Sequence, residues 1–385
     1  MRDRPGAILP MPPRDPEQRH RAATPLELLF DLVSVVAIAA AAAGLHHAIA
    51  EGHALAGVPR YFMTFFIIWW AWMNFTWFAS AYDNDDAPYR VLTMVMMAGA
   101  LVIAAGTPRF FNNLDIGLLV IGYVVMRLGL VALWLRAMKH DRARRATTLR
   151  YAVGIVLAQA YWIGLYVVAP AGQVAFVVLI VLGFAIELAV PAVAERASAT
   201  PWHRHHIIER YGLLTIIVLG EVLLSSVQAL QAAWDGSFDI RLVHVALSAL
   251  VITFAMWWMY FSGEEHLQTT RLRHALRWGY GHVVVFASGA AVGAGFAVLV
   301  EVITGHAHVS LQVGDLAVAL PLACYMLGLW FVRDSLVLKG PARWVLPVFA
   351  GLTAALPFAF PALEVIAALA VAAVALRAAL RRRVV

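Results

Sequence analysis

The sequence predicts an all-α polytopic membrane protein with about twelve transmembrane helices. Hydrophobic residues make up 62% of the 385 residues and charged residues only 14%, whereas a soluble domain carries about a quarter charged residues. Apolar runs recur along almost the whole chain. Each is around 20 residues long, which is the length that a helix needs to cross the hydrocarbon core of a bilayer.

The polar N-terminal region is the main exception to this pattern. Residues 1–23 are basic and rich in proline, and they predict a disordered cytoplasmic tail. The apolar run that follows is too long for the core of a signal peptide. To within several residues, we expect helices at 24–50, 58–82, 89–106, 114–136, 149–169, 173–194, 206–231, 241–262, 273–303, 314–335, 343–360 and 362–380.

The distribution of basic residues predicts the orientation of the chain. The pI of about 9.7 comes almost entirely from arginine. When the predicted loops alternate between the two sides, all but four of the 29 Lys and Arg residues lie on the side of the termini. The positive-inside rule then places both termini in the cytoplasm, so the charge predicts membrane topology and no nucleic-acid partner. The four exceptions are Arg60, Arg109, Arg127 and Arg241.

The two halves of the chain resemble each other, which predicts two six-helix repeats at 24–196 and 205–380. Glu27 and Glu209 each open a span after a polar segment, and Trp72-Met73-Asn74-Phe75 resembles Trp258-Met259-Tyr260-Phe261. Six helices per half is an even number, so the repeats would be parallel. Parallel repeats commonly place a binding site at their interface near the middle of the membrane.

Ionisable residues inside the predicted spans are the candidates for function, because burying a charge in a membrane is costly. Residues four apart share a helix face, so Glu27 and Asp31 point the same way. Glu221 would lie deepest, and the others fall in the inner half of their spans, where they could form one cluster. The candidate ion- or substrate-binding residues are Glu27, Asp31, Arg127, Glu187, His206, Glu209, Arg210 and Glu221.

Each candidate also has a structural interpretation. Glu27 and Asp31 would favour the positive end of a helix dipole, and Glu209 with Arg210 would form an ion pair that locks two helices. Arg127 would extend to the interface, and Glu221 would make a structural hydrogen bond.

The sequence predicts no metal site, no cofactor and no catalytic residue. Cys324 is the only cysteine, and His203, His205 and His206 are typical of an interfacial basic patch. His-Glu-X-X-His spacing, P-loops and Gly-X-Ser-X-Gly elbows do not occur in the sequence. An enzyme is therefore the less favoured class.

Two segments resemble the signatures of the bacterial low temperature requirement A family. The first is Thr24-Pro25-Leu26-Glu27-Leu28-Leu29-Phe30-Asp31-Leu32-Val33, and the second runs from His206 to Glu221. Ser34 departs from the family, which tends to have a bulkier apolar residue there. The resemblance covers roughly residues 20–380. It implies a multi-pass protein of the bacterial inner (cytoplasmic) membrane and supplies no established biochemical activity.

The leading hypothesis is a membrane transport protein, either a proton- or cation-coupled secondary transporter or a channel, that uses buried carboxylates. One alternative is an intramembrane enzyme acting on a lipid or isoprenoid-linked substrate. Another is a non-catalytic scaffold or sensor, in which the acidic groups would all be paired and dry. The expected partners are the lipid bilayer and a small ion or small molecule, and the sequence leaves homo-oligomerisation open.

Overall fold

The computed structural model describes residues 8–19, 21–168, 172–233, 239–263, 267 and 272–382. Every regular element in these ranges is helical, and no strand occurs among them. Twelve helical segments of the described chain are long and apolar enough to cross a membrane. The all-α polytopic prediction is therefore confirmed. The two repeats and the cytoplasmic position of the termini stay predictions.

Most of the helices begin and end close to their predicted boundaries, and α3 ends later than predicted. A π-helical turn and a short helix extend α10, so that Leu311–Val337 counts as one span. The elements are α1 (Pro25–Ala50), α2 (Ala54–Tyr82), α3 (Ala87–Asn113), α4 (Gly117–His140), α5 (Arg145–Val168), α6 (Gln173–Ala194), α7 (Arg204–Ala233), α8 (Ile240–Phe261), α9 (Leu272–Thr304), α10 (Leu311–Leu329), the π turn Trp330–Asp334, α11 (Ser335–Val337), the 3₁₀ turn Gly340–Trp344, α12 (Val345–Ala359) and α13 (Leu363–Arg382).

The chain divides into two compact units. Unit 1 comprises Met1–Ala37 and Ile67–Arg210, and unit 2 comprises Ile38–Phe66 and Tyr211–Val385. Unit 1 therefore contains all of α3 to α6, and unit 2 contains all of α8 to α13. The helices α1, α2 and α7 contribute residues to both units.

Successive helices pack together in unit 1, where α3 contacts α4, α4 contacts α5 and α5 contacts α6. Glycine permits the close approach of α3 and α4. A Cβ atom at Gly99 would lie 2.5 Å from the carbonyl oxygen of Gly122, and one at Gly122 would lie 2.5 Å from that of Gly99. Small residues bring membrane helices together in this way.

Unit 2 is built around α9, the longest helix of the described chain. In its most apolar stretch, 89% of the residues are buried, and α9 packs against α8 and α10. Gly295 lies directly against the carbonyl oxygen of Ala317 on α10, which leaves no room for a Cβ atom. A Cβ atom at Gly293 would lie 3.1 Å from the Cα atom of Val222. The glycines of α9 thus set its distance from two neighbours.

The described part of the N-terminal tail contacts the end of α2 and the loop that follows it, and the disorder of the tail stays a prediction. The backbone N–H of Arg14 donates to the carbonyl of Ala81 at 2.9 Å, and that of Leu9 donates to Asp86 at 2.9 Å. The Arg14 guanidinium also lies 3.6 Å from the Asp83 carboxylate. These contacts join the basic tail to an acidic loop, residues 83–86.

Candidate functional site

The first turn of α1 positions Glu27 through a capping box. The side chain of Thr24 accepts from the backbone N–H of Glu27 at 3.3 Å, and Glu27 Oε2 accepts from the backbone N–H of Thr24 at 2.7 Å. Pro25, at the first helical position, has no N–H that would need a partner. The Thr-Pro-Leu-Glu sequence therefore fixes the Glu27 carboxylate and leaves Oε1 for other groups.

Arg210 of α7 lies between the two carboxylates of α1. Its Nη2 and Nε atoms donate to Asp31 at 2.5 and 3.3 Å, and its Nη1 lies 3.0 Å from Glu27 Oε1. Trp72 Nε1 donates to Asp31 at 2.6 Å. Glu27, Asp31 and Arg210 are all fully buried. Each charge thus has an opposite charge within contact distance, as buried charges require.

The tail and the acidic loop extend this cluster. Arg21 lies 3.7 Å from Glu27 and 3.3 Å from Asp83, and Arg14 lies 3.6 Å from the same oxygen of Asp83. Burial, and then the nearby carboxylate of Glu27, raises the pKa of Asp83 to about 6. We call Arg14, Arg21, Glu27, Asp31, Asp83, His206 and Arg210 the Glu27–Arg210 cluster, in which three guanidinium groups face three carboxyl groups.

His206 belongs to this cluster and Glu209 does not. His206 Nε2 lies 3.1 Å from Glu27 Oε1, and the ring is fully buried. Glu209 is exposed, and its carboxylate accepts from the backbone N–H of Ala23 at 3.3 Å. His203 binds protein groups, because its Nε2 lies 2.9 Å from the carbonyl of Gln18.

Arg127 and Glu187 form a second cluster in unit 1. Arg127 Nη2 donates to Glu187 at 2.5 Å, and both side chains are only 1% exposed. Trp70 and Tyr123 donate to the same carboxylate at 2.9 and 2.8 Å, and Gln159 and Trp162 donate at 3.3 and 3.2 Å. Arg127 pairs with Glu187, while Arg210 pairs with Glu27 and Asp31, so these candidates form two clusters and not one.

A third buried charge cluster occupies the π turn of unit 2. Asp334 accepts from Arg377 at 2.8 and 2.7 Å and from Arg333 at 2.6 Å. Arg333 also donates to the carbonyls of Met259 and Tyr260 at 2.7 and 2.8 Å. In the sequence, Arg333 and Arg377 count only among the basic residues of the cytoplasmic side. The acidic residue Asp334, directly after Arg333, is the signal that could have identified this buried cluster.

Glu221 lies in a different environment, on the wall of a cavity of about 660 Å³ in unit 2. Ser225 Oγ donates to Glu221 at 3.1 Å, and Gln228 follows on the same face of α7. The Glu221 side chain is neither in an ion pair among those described above nor fully buried. The spacing of Glu221, Ser225 and Gln228 predicts a polar face on α7, and this face lines the cavity.

The cavity has further polar residues that were missed in the sequence, and three of them lie close together. His46 and His47 come from the C-terminal part of α1, and Glu301 comes from the last turn of α9. His46 Nε2 lies 3.0 Å from Glu301 Oε1. Glu301 is an acidic residue within an apolar run, which is the signal that identified Glu221 and could have identified Glu301 as well.

The twelve apolar helices and the charges buried among them are those of a multi-pass integral membrane protein. Residues 22–380 match the family described as bacterial low temperature requirement A protein (LtrA). The match covers nearly the whole chain, and the protein belongs to this family. Searches of the curated proteins and of the solved structures found no match.

Proposed function

We propose that the protein is a transporter of small cations, and that the cavity of unit 2 is its binding site. The observation that carries this proposal is the position of Glu221, a carboxylate inside a membrane-spanning helix that faces an open cavity. A carboxylate in that setting can bind a cation that has lost part of its water, or a proton that is exchanged for it.

The charge of the cavity supports a cation as the transported species. Glu221 and Glu301 are both in its wall, together with the imidazole groups of His46, His47 and His306. Among the described residues that line it, none is Lys or Arg. In a membrane interior of low dielectric constant, such a wall attracts cations and repels anions.

The two charge clusters of unit 1 support a structural role instead. In both clusters, the carboxylates are buried and in contact with guanidinium groups. Their charge is therefore already neutralised within the protein and is not available to bind a substrate. Glu27, Asp31, His206 and Arg210 would hold α1 and α7 together, and Arg127 and Glu187 would do the same for α4 and α6. This pairing also favours a scaffold or sensor as the second candidate function, in which the cavity would bind an ion without moving it.

The basic residues support a proposed arrangement in the membrane. We place the protein in the bacterial cytoplasmic membrane with both termini inside, because the arginine-rich loops alternate with loops that carry few basic residues. On this orientation the C-terminal ends of α1 and α9, and with them His46 and Glu301, lie on the outer side.

Ion flux into proteoliposomes tests the proposal. The purified protein is reconstituted, and the uptake of Na⁺, K⁺, Mg²⁺ and Mn²⁺ is followed under a proton gradient and under a membrane potential. We expect the wild type to transport at least one of these cations. Glu221→Gln, which keeps the shape but removes the charge, should lower that flux by about tenfold or more.

Glu51→Gln is the matched control for this experiment. Glu51 is exposed, lies just after α1 and is not part of the cavity wall, so this variant should transport as the wild type does. The proposal is wrong if the wild type moves no cation under any gradient, or if Glu221→Gln transports as fast as the wild type. If the wild type binds a cation but does not transport it, the result favours a scaffold or sensor.

A further inference from the structure

Three side chains of the cavity bring metal-binding atoms together. One ligand atom each from His46, His47 and Glu301 lies within 4.8 Å of the other two. His46 Nε2 lies 3.0 Å from Glu301 Oε1. Ligands at about 2.1 Å from a tetrahedral zinc ion are about 3.4 Å apart. Small side-chain rotations would therefore bring all three atoms to bonding distance of one ion.

The backbone around these side chains favours a positive charge. His46 and His47 lie in the last two turns of α1, and Glu301 lies in the last turn of α9. The C-terminal end of a helix carries a partial negative charge, which attracts a cation. Two such ends meet at this group, and the Glu221 carboxylate is in the wall of the same cavity.

The two histidines are consecutive, and consecutive residues on a helix usually diverge in direction. Their rings are nevertheless stacked, with centroids 4.7 Å apart and an angle of 29° between the planes. Both rings therefore lie on the same side of α1, and both line the cavity. An ion bound here would have access to the open space, which could supply water as a fourth ligand.

We propose that His46, His47 and Glu301 bind a divalent transition-metal ion such as Zn²⁺, a site that the sequence did not predict. Two imidazole nitrogens and one carboxylate oxygen are a ligand set for zinc and similar ions. Mg²⁺ and Ca²⁺ prefer oxygen ligands, so the site discriminates against them. The binding of this ion does not require that the cavity transports anything.

Metal titration of the full-length protein in detergent tests the proposal, after removal of any affinity tag. Binding of Co²⁺ is followed by its visible absorption, and binding of Zn²⁺ and Mg²⁺ by calorimetry. We expect one Zn²⁺ or Co²⁺ per chain and about a hundredfold weaker binding of Mg²⁺. His46→Ala and Glu301→Gln should each weaken Zn²⁺ binding by about tenfold or more.

His53→Ala is the control, because His53 is an exposed histidine close to α1 that does not line the cavity. Gel filtration and thermal unfolding show whether the variants are folded. If one of these variants is not folded, His47→Ala, at a more exposed position, is used in its place. The proposal fails if the wild type binds no Zn²⁺, or if folded variants of His46, His47 and Glu301 bind it as the wild type and His53→Ala do. Metal binding is measured in detergent, without vesicles. A failure of this proposal can therefore be distinguished from a failure of the transport proposal.

Discussion

Arg210 illustrates how single residues in unit 1 depend on their partners. The guanidinium contacts the carboxylates of both Glu27 and Asp31, and all three groups are out of contact with solvent. Forming such a buried pair gains little net stability, because the desolvation of each charge offsets the attraction. Breaking one is expensive, because it leaves an uncompensated charge.

Replacing Arg210 alone should therefore strongly destabilise the folded protein. We expect Arg210→Gln to lower the free energy of unfolding by about 3–5 kcal/mol, since Glu27 and Asp31 keep their positions without their main counter-charge. The double variant Arg210→Gln with Asp31→Asn should lose less than the two single variants together, by about 1 kcal/mol or more. Thermal unfolding in detergent measures both effects.

Arg196→Gln is the matched control for Arg210, because Arg196 is exposed. It should unfold at nearly the same temperature as the wild type. If Arg210→Gln were as stable as Arg196→Gln, or if the losses of the Arg210 and Asp31 variants simply added, the ion pair would not have the role described here.

The carboxyl group of Asp83 makes stability depend on pH. Its pKa is about 6 in the folded protein, above the usual 3.8, because it is buried near Glu27. An acid whose pKa rises on folding favours the folded state most below its unfolded pKa. This contribution is lost as the pH rises through the folded pKa.

Between about pH 5 and pH 7, the wild type should therefore lose about 1 kcal/mol more stability than Asp83→Asn. Thermal unfolding across this pH range measures the difference. Asp15→Asn, at an exposed position of the tail, should retain the pH dependence of the wild type. An unchanged pH dependence in Asp83→Asn would show that this carboxyl group titrates near its usual pKa.

At the scale of residues, the sequence identifies charges but not their environments. Glu27, Asp31, Arg210, Arg127 and Glu187 stand out because they interrupt apolar runs, and all five are buried. Which charges pair depends on which helices are neighbours, and the spacing along one helix does not contain that information. For the same reason, the clusters at Arg127 and Arg210 could not be separated in advance.

At the scale of elements, glycines decide how closely the helices of unit 2 approach. Gly295 lies directly against α10, whereas no atom lies within 4 Å of a Cβ built at Gly351 of α12. We expect Gly295→Ala to destabilise the protein by about 1–3 kcal/mol through overpacking. Gly351→Ala should instead stabilise it by up to about 1 kcal/mol, because alanine favours a helix.

Thermal unfolding of the two variants in the same detergent measures this contrast. Both changes add one methyl group to a glycine in a helix, so intrinsic helix propensity acts in the same direction in each. Equal shifts in unfolding temperature would show that α9 and α10 do not pack as closely as the structure has them.

The helices themselves were well predicted, because hydropathy records the length of a span directly. Two features of the elements were not. The π turn at Trp330–Asp334 has no signal in periodicity, and α3 continues through Pro108 to Asn113, beyond the predicted end at 106. The contacts of the tail with Asp83 and Asp86 also escaped prediction, because they join segments that are far apart in the sequence.

At the scale of the whole molecule, the orientation predicts which loops are accessible from outside. In a Cys324→Ser background, a cysteine at Ser310 between α9 and α10 should react with a membrane-impermeant maleimide on intact spheroplasts. A cysteine at Arg142 between α4 and α5 should react only after permeabilisation. Labelling in the reverse order, or of both positions from outside, would contradict cytoplasmic termini.

At the scale of the whole molecule, the cavity was the feature that was hardest to predict from the sequence. One polar face, from Glu221 to Gln228, was visible in the spacing of α7. The cavity itself also needs small residues from other helices, such as Ala43 and Ala297, together with His46 and Glu301. A void between helices is a property of their packing, and no single segment encodes it.

Chemical block of the cavity is the most direct test of the claim that cations pass through it. In a Cys324→Ser background, Ala43→Cys places a thiol in the cavity wall, and Ala56→Cys places one at an exposed position outside it. A positively charged methanethiosulfonate should lower cation flux in proteoliposomes by about tenfold at Ala43→Cys and leave Ala56→Cys unchanged. Full modification of Ala43→Cys, verified by mass spectrometry, with undiminished flux would contradict transport through this cavity.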